Sequence, residues 1–218
     1  MEEDENEVID LPQDIQPDFC FKLVIVGKTK VGKTSLVKYE INDLISDPKH
    51  YKSTLPFEHS WKNYKISEKM VRIQIWDTCG DESYDILLKN YLNKSLCVFI
   101  VFSLTDELSF RNLNKWIEII NEAKGERPVI ILVGNKCDLK EESKITDEEI
   151  QNFCKSNNIE KYFLTSATTG ENIHEMFKYV IKQLYIKFIY PISKEAQRNN
   201  KDKVGNIGNG VLHGDCAC

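Results

Sequence analysis

The chain has 218 residues, 41% of them apolar, a formal net charge of −5 and seven cysteines. That supplies a core for one domain of ordinary size with room for tails. No apolar run approaches the ~20 residues that span a bilayer as a helix, and no basic stripe suggests nucleic acid. The odd number of cysteines, without a Cys-x-x-Cys pair, speaks against a disulfide framework and fits a reduced, cytosolic chain.

The charge is uneven. Residues 1–18 hold eight acids and no base, and removing those eight from the 34 acids leaves 26 facing 29 basic residues. The opening MEEDENEVID is too acidic for a signal or transit peptide. It reads as a solvated, disordered extension over 1–18, with attraction of a basic partner as the other reading.

Elements follow in chain order. FCFKLVIVG (19–27) is a buried strand ending at glycine, and KTSLVKYEINDLI (33–45) a helix. FEHSWKNYKI and MVRIQIWD, joined by SEK, are two strands and a tight turn; Val71, Ile73 and Ile75 alternate with Arg72 and Gln74. SLCVFIVFSL (95–104) is buried on both faces, and ELSFRNLNKWIEIINEAKG is one helix ended by Gly125. RPVIILVG is another buried strand. TDEEIQNFCKSNN is a helix opened by a Thr–Glu capping box. KYFLTSA is the last strand. Ile173, Met176, Phe177, Val180, Ile181, Leu184, Tyr185 and Phe188 then mark one face of a final helix that Pro191 should stop. Residues 191–218 read as a flexible tail. Strands alternating with helices predict an α/β fold: a mostly parallel, six-stranded sheet with helices on both faces and ligands at the carboxyl ends of the strands.

The stretch Gly27-Lys28-Thr29-Lys30-Val31-Gly32-Lys33-Thr34 fits GxxxxGK[ST] between such a strand and a helix. Successive backbone N–H groups of such a loop wrap phosphates, and the helix points its positive end at them. Lys33 would reach the β- and γ-phosphates and Thr34 would ligate Mg²⁺, with Ser35 beside it on the first turn. A chance Gly/Lys turn is the alternative, and the strand–loop–helix context argues against it. GNKCDL (134–139) selects the base. The Asp138 carboxylate accepts from both N1–H and the 2-amino group of guanine, and adenine offers neither donor. Asn135 belongs to the same base-reading set, Lys136 can lay its stem along the base, and TSA, with Ser166 and Ala167, would offer a backbone N–H to the guanine oxygen.

With WDTCG added, residues 19–190 resemble the small Ras-like GTPases, P-loop NTPases, most closely the Rab branch. IWDTCGDESY, FSLTDELSF and the terminal Cys-Ala-Cys carry the Rab likeness. The resemblance implies GTP/GDP and Mg²⁺ as ligands and a switch that recruits effectors in vesicle trafficking. It implies that Asp77 holds Mg²⁺ through water, that Gly80 N–H binds the γ-phosphate, and that Thr54 ligates Mg²⁺ only in the triphosphate state. It places Lys33, Thr54, Gly80 and the residue at 81 in the hydrolytic machinery. Effectors, exchange factors and activating proteins are expected near Thr54, Trp76 and Tyr91. Cys216 and Cys218 match a pair that carries two geranylgeranyl groups, which predicts the cytoplasmic face of an intracellular membrane with a cytosolic pool.

The sequence departs from the family in four places. Asp81 stands where the family has a water-orienting Gln; it is shorter, cannot donate when ionised, and is repelled by the γ-phosphate. Slow intrinsic hydrolysis follows, unless an activating protein supplies the missing group. Lys30 replaces a usual Gly or Ala, either as a solvated side chain or as added positive charge. His59 stands in place of an effector-facing Phe, and Thr168 replaces a common Lys. Two rival functions stay open: a GTP-locked interaction module, favoured by Asp81, and a P-loop kinase, against which the NKCD element stands.

Overall fold

The computed structural model describes residues 7–45, 54 and 56–194. Among them seven strands form one sheet: β1 (Val8–Leu11), β2 (Phe19–Val26), β3 (Phe57–Ile66), β4 (Lys69–Thr78), β5 (Cys97–Ser103), β6 (Val129–Asn135) and β7 (Lys161–Thr165). The helices are α1 (Lys33–Asn42), α2 (Asp85–Leu92), α3 (Glu107–Arg111), α4 (Leu113–Glu122), α5 (Asp147–Ser156) and α6 (Ile173–Leu184). The sheet order is β1-β3-β4-β2-β5-β6-β7. β2, β4, β5, β6 and β7 run parallel to their neighbours, and β1 and β3 add an antiparallel edge.

Strand alternation sorts the core into two layers. Phe21, Leu23 and Ile25 of β2 face α1 and α6, where Leu36, Val37, Met176, Phe177 and Ile181 complete one cluster. Val24 and Val26 face the opposite way, towards Leu88 and Leu92 of α2, Trp116 and Ile120 of α4, and Ile150 of α5. The Thr–Glu capping box of α5 is present, with Thr146 Oγ1 accepting from Glu149 N–H.

Three expectations change, and one helix appears where none was assigned. First, the extension 1–18 is not disordered throughout: residues 8–11 form β1, paired antiparallel with β3, so the sheet has seven strands rather than six. Val8 is buried against Tyr64 and Ile66, while Ile9 and Asp10 are exposed. Asn63 Nδ2 donates to Pro12 O (2.8 Å) and Arg72 Nη2 to Ile15 O (3.0 Å), fastening the chain that follows. Second, the helix expected over 107–125 is two helices separated at Asn112, and it ends at Glu122, before Gly125. The unassigned helix is Asp85–Leu92. Third, Pro191 does not stop the last helix. Tyr185–Ile189 form a widened π turn, and helix continues to residue 194. A wide turn relieves the clash of a proline ring with the carbonyl four residues earlier.

No helix among the described residues is long and apolar enough to cross a membrane. Cys216 and Cys218, and the tail from 195, lie outside the described residues.

Candidate functional site

β2, β4, β5, β6 and β7 end on one side of the sheet, and the motif residues gather there. Gly27 closes β2, and the loop to Gly32 turns into α1 through a left-handed glycine (φ 103°). A Cβ on Gly32 would collide with Asn135 Nδ2. No side chain caps α1 and its first turn carries no acid, so the N–H groups at Lys33, Thr34 and Ser35 and the helix dipole are available to an anion. Lys30 occupies the left-handed region (φ 64°), which accounts for the usual preference for a small residue there; its side chain is exposed.

Lys33 is 4% exposed. Its ammonium donates to Gly27 O (2.8 Å) and Lys28 O (3.0 Å), and no carboxylate among the described residues pairs with it. Burial lowers its pKa to about 8, with Asp77 and Cys79 pulling the other way. A buried cation held by two carbonyls is an electrostatic debt that a phosphate would cancel.

Three oxygens meet beside it. Thr34 Oγ1 lies 2.6 Å from Thr54 Oγ1 and donates to Asp77 Oδ2 (2.5 Å). These atoms come from α1, the segment before β3, and β4. Asp77 Oδ1 is buried and has no hydrogen-bond partner among the described residues. Burial pushes the Asp77 carboxyl up to about 6, against the Thr34 bond and the Lys33 charge. Two hydroxyls and one carboxylate, whose buried Oδ1 has no partner among the described residues, form a hard-oxygen donor set that suits Mg²⁺.

Gly80 (φ 74°) passes so close to the phosphate loop that a Cβ would meet Gly27 O and Lys33 Nζ. Asp81 is turned along the chain: its Oδ1 accepts from Ser83 N–H (2.9 Å) and Ser83 Oγ (2.7 Å), capping a short 3₁₀ turn. Those bonds hold its carboxyl below the usual range. Lys115 of α4 grips the same turn through Glu82 (3.1 Å) and Asp85 (2.7 Å). A cleft of about 260 Å³ remains between Lys28, Thr29, Gly80, Asp81, Lys115 and Trp116.

On the base side, Asn135 is buried, and its Nδ2 donates to Val31 O (2.8 Å) while its Oδ1 accepts from Ala167 N–H (3.2 Å) and Thr165 Oγ1 (3.3 Å). Asn135 is therefore a strut between the phosphate loop and the loop after β7. Ala167 N–H, expected to face a guanine oxygen, is engaged by that strut. Ser166 Oγ is occupied too, accepting from Thr168 N–H (3.2 Å) and Thr169 N–H (3.1 Å). Asp138 is exposed and makes no hydrogen bond or ion pair among the described residues, leaving both oxygens available. Lys136 adopts a left-handed conformation (φ 69°) that ends β6 and projects the loop.

The aromatic set forms as expected and gains a member. His59 lies 4.7 Å from Trp76, Trp76 lies 5.2 Å from Tyr91, and Phe57 stacks on Tyr91 at 3.7 Å. Lys22 sits 5.3 Å above the Trp76 ring. Sequence reasoning missed the ion pair of Lys28 with Asp106 (2.9 Å), which ties the phosphate loop to the start of α3.

Residues 22–186 match the Ras family. The chain belongs to the Ras family. Within it the chain is of the Rab branch. It is 30% identical over 203 residues to the Ras-related protein Rab-11B of Dictyostelium discoideum, covering 93% of this chain and 89% of that protein. It is 32% identical over 174 residues to the GTP-binding protein ypt3 of Schizosaccharomyces pombe, covering 79% of each. As a Ras-family GTPase it takes GTP and GDP with Mg²⁺ and hydrolyses GTP. The β1 strand lies before the matched segment.

Proposed function

We propose that this chain is a Rab-type switch in vesicle trafficking. Phosphates lie along the backbone from Gly27 to Ser35, with Lys33 as their buried cation. Thr34 and Thr54, with Asp77 through water, would hold Mg²⁺, which would supply charge neutralisation for the phosphates. Asp138 reads guanine, Lys136 lies along the base, and Asn135 holds the loops around it. The convergence of Thr34, Thr54 and Asp77, with Asp77 Oδ1 buried and unpartnered, supports this reading best. It joins the phosphate loop to the segment carrying Thr54, so a change at the phosphate is felt at the partner surface around His59, Trp76 and Tyr91.

Intrinsic hydrolysis is slow, since the Asp81 carboxylate is turned to Ser83 rather than offered to an attacking water. The same observation favours a second reading, a GTP-locked interaction module. Single-turnover hydrolysis distinguishes them: measurable intrinsic turnover, accelerated by an activating protein, keeps the cycling switch, and no turnover in either condition selects the locked module. Membrane attachment rests on Cys216 and Cys218, since two lipids anchor stably where one is marginal. Fractionation of cells expressing the full chain, with and without residues 216–218, tests it. The deletion should move the protein to the cytosol at unchanged guanine-nucleotide affinity, and a membrane pool that survives would overturn the lipid assignment.

A further inference from the structure

The last helix leaves one face uncovered. From Met176 to Lys194 the chain holds four lysines and no Asp or Glu. Its inward residues, among them Ile181, Leu184 and Ile189, fill the core. Through the π turn and the helical residues after it, every exposed side chain is apolar, aromatic or basic. These are Ile186 (54% exposed), Lys187, Tyr190 (44%), Pro191, Ile192 (56%) and Lys194. Lys187 Nζ lies 5.2 Å from the centre of the Phe188 ring, and Lys194 Nζ lies 4.8 Å from that of Tyr190. Both ammonium groups are thus carried on aromatic faces, and no carboxylate among the described residues pairs with either. Lysines at the end of a helix answer its dipole. The dipole does not account for two isoleucines and a tyrosine exposed beside them.

The place of this face in the fold matters. The Phe188 ring lies 6.0 Å from that of Phe21, near the start of β2, whereas the phosphate loop begins at Gly27, beyond the far end of that strand. The face therefore lies at the end of the sheet opposite the nucleotide site. Its composition is that of a bilayer–water boundary. Apolar side chains enter the acyl edge, tyrosine keeps its hydroxyl among the headgroups, and lysine stems run along apolar surface to bring their charge to anionic headgroups. The chain also has a route to such a surface. Residues 195–215 separate Lys194 from Cys216, and these 21 residues hold three bases and three acids. They reach at most about 75 Å, so lipid on Cys216 and Cys218 would keep the helix end within that distance of a bilayer. With no net charge on 195–215, the attraction to anionic lipid that supports a lipid anchor falls to the helix.

We propose that the face formed by Ile186, Lys187, Tyr190, Ile192 and Lys194 docks on an anionic membrane surface and holds the domain with its nucleotide end turned away from the bilayer. The inference takes its setting from the lipid attachment proposed above, but docking itself needs no lipid on the chain. The two can therefore fail separately: a face that does not bind vesicles leaves the lipid assignment standing, and a membrane pool that survives deletion of 216–218 leaves the face standing.

The test is sedimentation of the full, unlipidated chain with vesicles of phosphatidylcholine alone or with about 30% phosphatidylserine, at about 0.1 M and about 0.5 M NaCl. The whole chain carries −5, so attraction to anionic vesicles requires a local basic face. Wild type should bind the serine-containing vesicles at least about fivefold more strongly than the neutral ones, and the higher salt should remove most of that difference. Lys187→Gln combined with Lys194→Gln should weaken binding about tenfold or more, since each basic residue near such a surface is worth about fivefold. Ile186→Ser combined with Ile192→Ser should weaken the part that survives salt, also by about tenfold. All four side chains are exposed and remote from the nucleotide site, so GDP affinity should be unchanged in both double variants. Equal binding to both kinds of vesicle, no binding at about 5 mM lipid, or double variants that bind as wild type does would overturn the docking. A wild-type dimer in analytical ultracentrifugation that the isoleucine variant abolishes would give the face to a second copy of the chain, and would overturn it too.

Discussion

Asn135 separates loop-holding from base-reading, and Asn135→Ala is the perturbation that decides between them. The substitution removes three hydrogen bonds at once, to Val31 O, Ala167 N–H and Thr165 Oγ1. The Thr165 hydroxyl can rotate towards another acceptor, so two backbone groups are stranded. Val31 is 1% exposed and Ala167 9% exposed, so neither group gains ready access to water. Each stranded group costs about 1–3 kcal/mol. Allowing for relaxation of the two loops, about 2–4 kcal/mol is lost from the ordered site, or roughly 30-fold to several hundredfold in affinity. A lost strut affects every ligand alike. The assay is competition binding of GDP and IDP, which differ by the 2-amino group of the base. Asn135→Ala should weaken both in parallel, whereas Asp138→Ala should weaken GDP and bring it towards IDP. If Asn135→Ala selectively narrows the gap between GDP and IDP, the residue reads the base after all. An affinity within twofold of wild type would mean the three bonds hold nothing that matters to binding.

Three further outcomes follow from the same geometry. Lys33→Met should stabilise the nucleotide-free protein while abolishing tight nucleotide binding: burial that lowers the Lys33 pKa from 10.5 to about 8 corresponds to about 3 kcal/mol, and loss of its two carbonyl bonds returns part of that, leaving about 1–2 kcal/mol. Between pH 8 and 10.5 the folded wild type binds fewer protons at Lys33 than the unfolded chain, so its stability rises with pH and the Met variant's advantage shrinks in chemical denaturation over that window. Asp81→Gln should raise intrinsic single-turnover GTP hydrolysis and Asp81→Leu should leave it nearly unchanged; a tenfold loss in Asp81→Leu, about 1.4 kcal/mol of barrier, would make Asp81 catalytic. Glu40→Ala should cost about 3–5 kcal/mol in denaturant unfolding, since Lys62 Nζ (3.0 Å) and Tyr64 Oη (2.7 Å) lose a buried acceptor; a cost below about 1 kcal/mol would dismiss these contacts as a set of independent surface charges.

The sequence made the phosphate side legible because spacing there is chemistry: GxxxxGK[ST] between a strand and a helix has one use, and Lys33, Thr34 and Asp77 converge as read. It did not foresee the contacts that Asn135 makes with the two loops. The NKCD motif names residues that act as a unit, and sequence cannot tell which of them touches the ligand and which holds the loops. β1 was hidden by composition: eight acids in 18 residues suggested a solvated segment, and Val8-Ile9-Asp10-Leu11 shows no period-2 alternation to mark a strand. The strand pairs with a partner more than 50 residues away, so no local signal could report it. Pro191 failed as a stop because a π turn precedes it, a backbone adjustment that has no sequence period. Glu40 did carry a signal. It occupies the i+7 position of the stripe begun by Lys33, Leu36 and Val37, and a carboxylate on an apolar stripe calls for partners.

The two ionic clusters flanking α1 differ in how they are balanced, and the difference bears on how the switch works. Around Glu40 the chain supplies its own partners, so that end of α1 is fixed by groups from β1, β3 and α6. Around Lys33 and Asp77 it does not: a buried ammonium without a carboxylate and a buried carboxylate oxygen without a donor stand side by side. Packing an apolar residue at either position would make a more stable protein and an empty site. The unbalanced charges instead assign part of the site's order to nucleotide and Mg²⁺, which stabilise only the arrangement they bind. Thr54 joins that arrangement through a hydroxyl contact to Thr34, so the ligands that complete the cluster also hold Thr54.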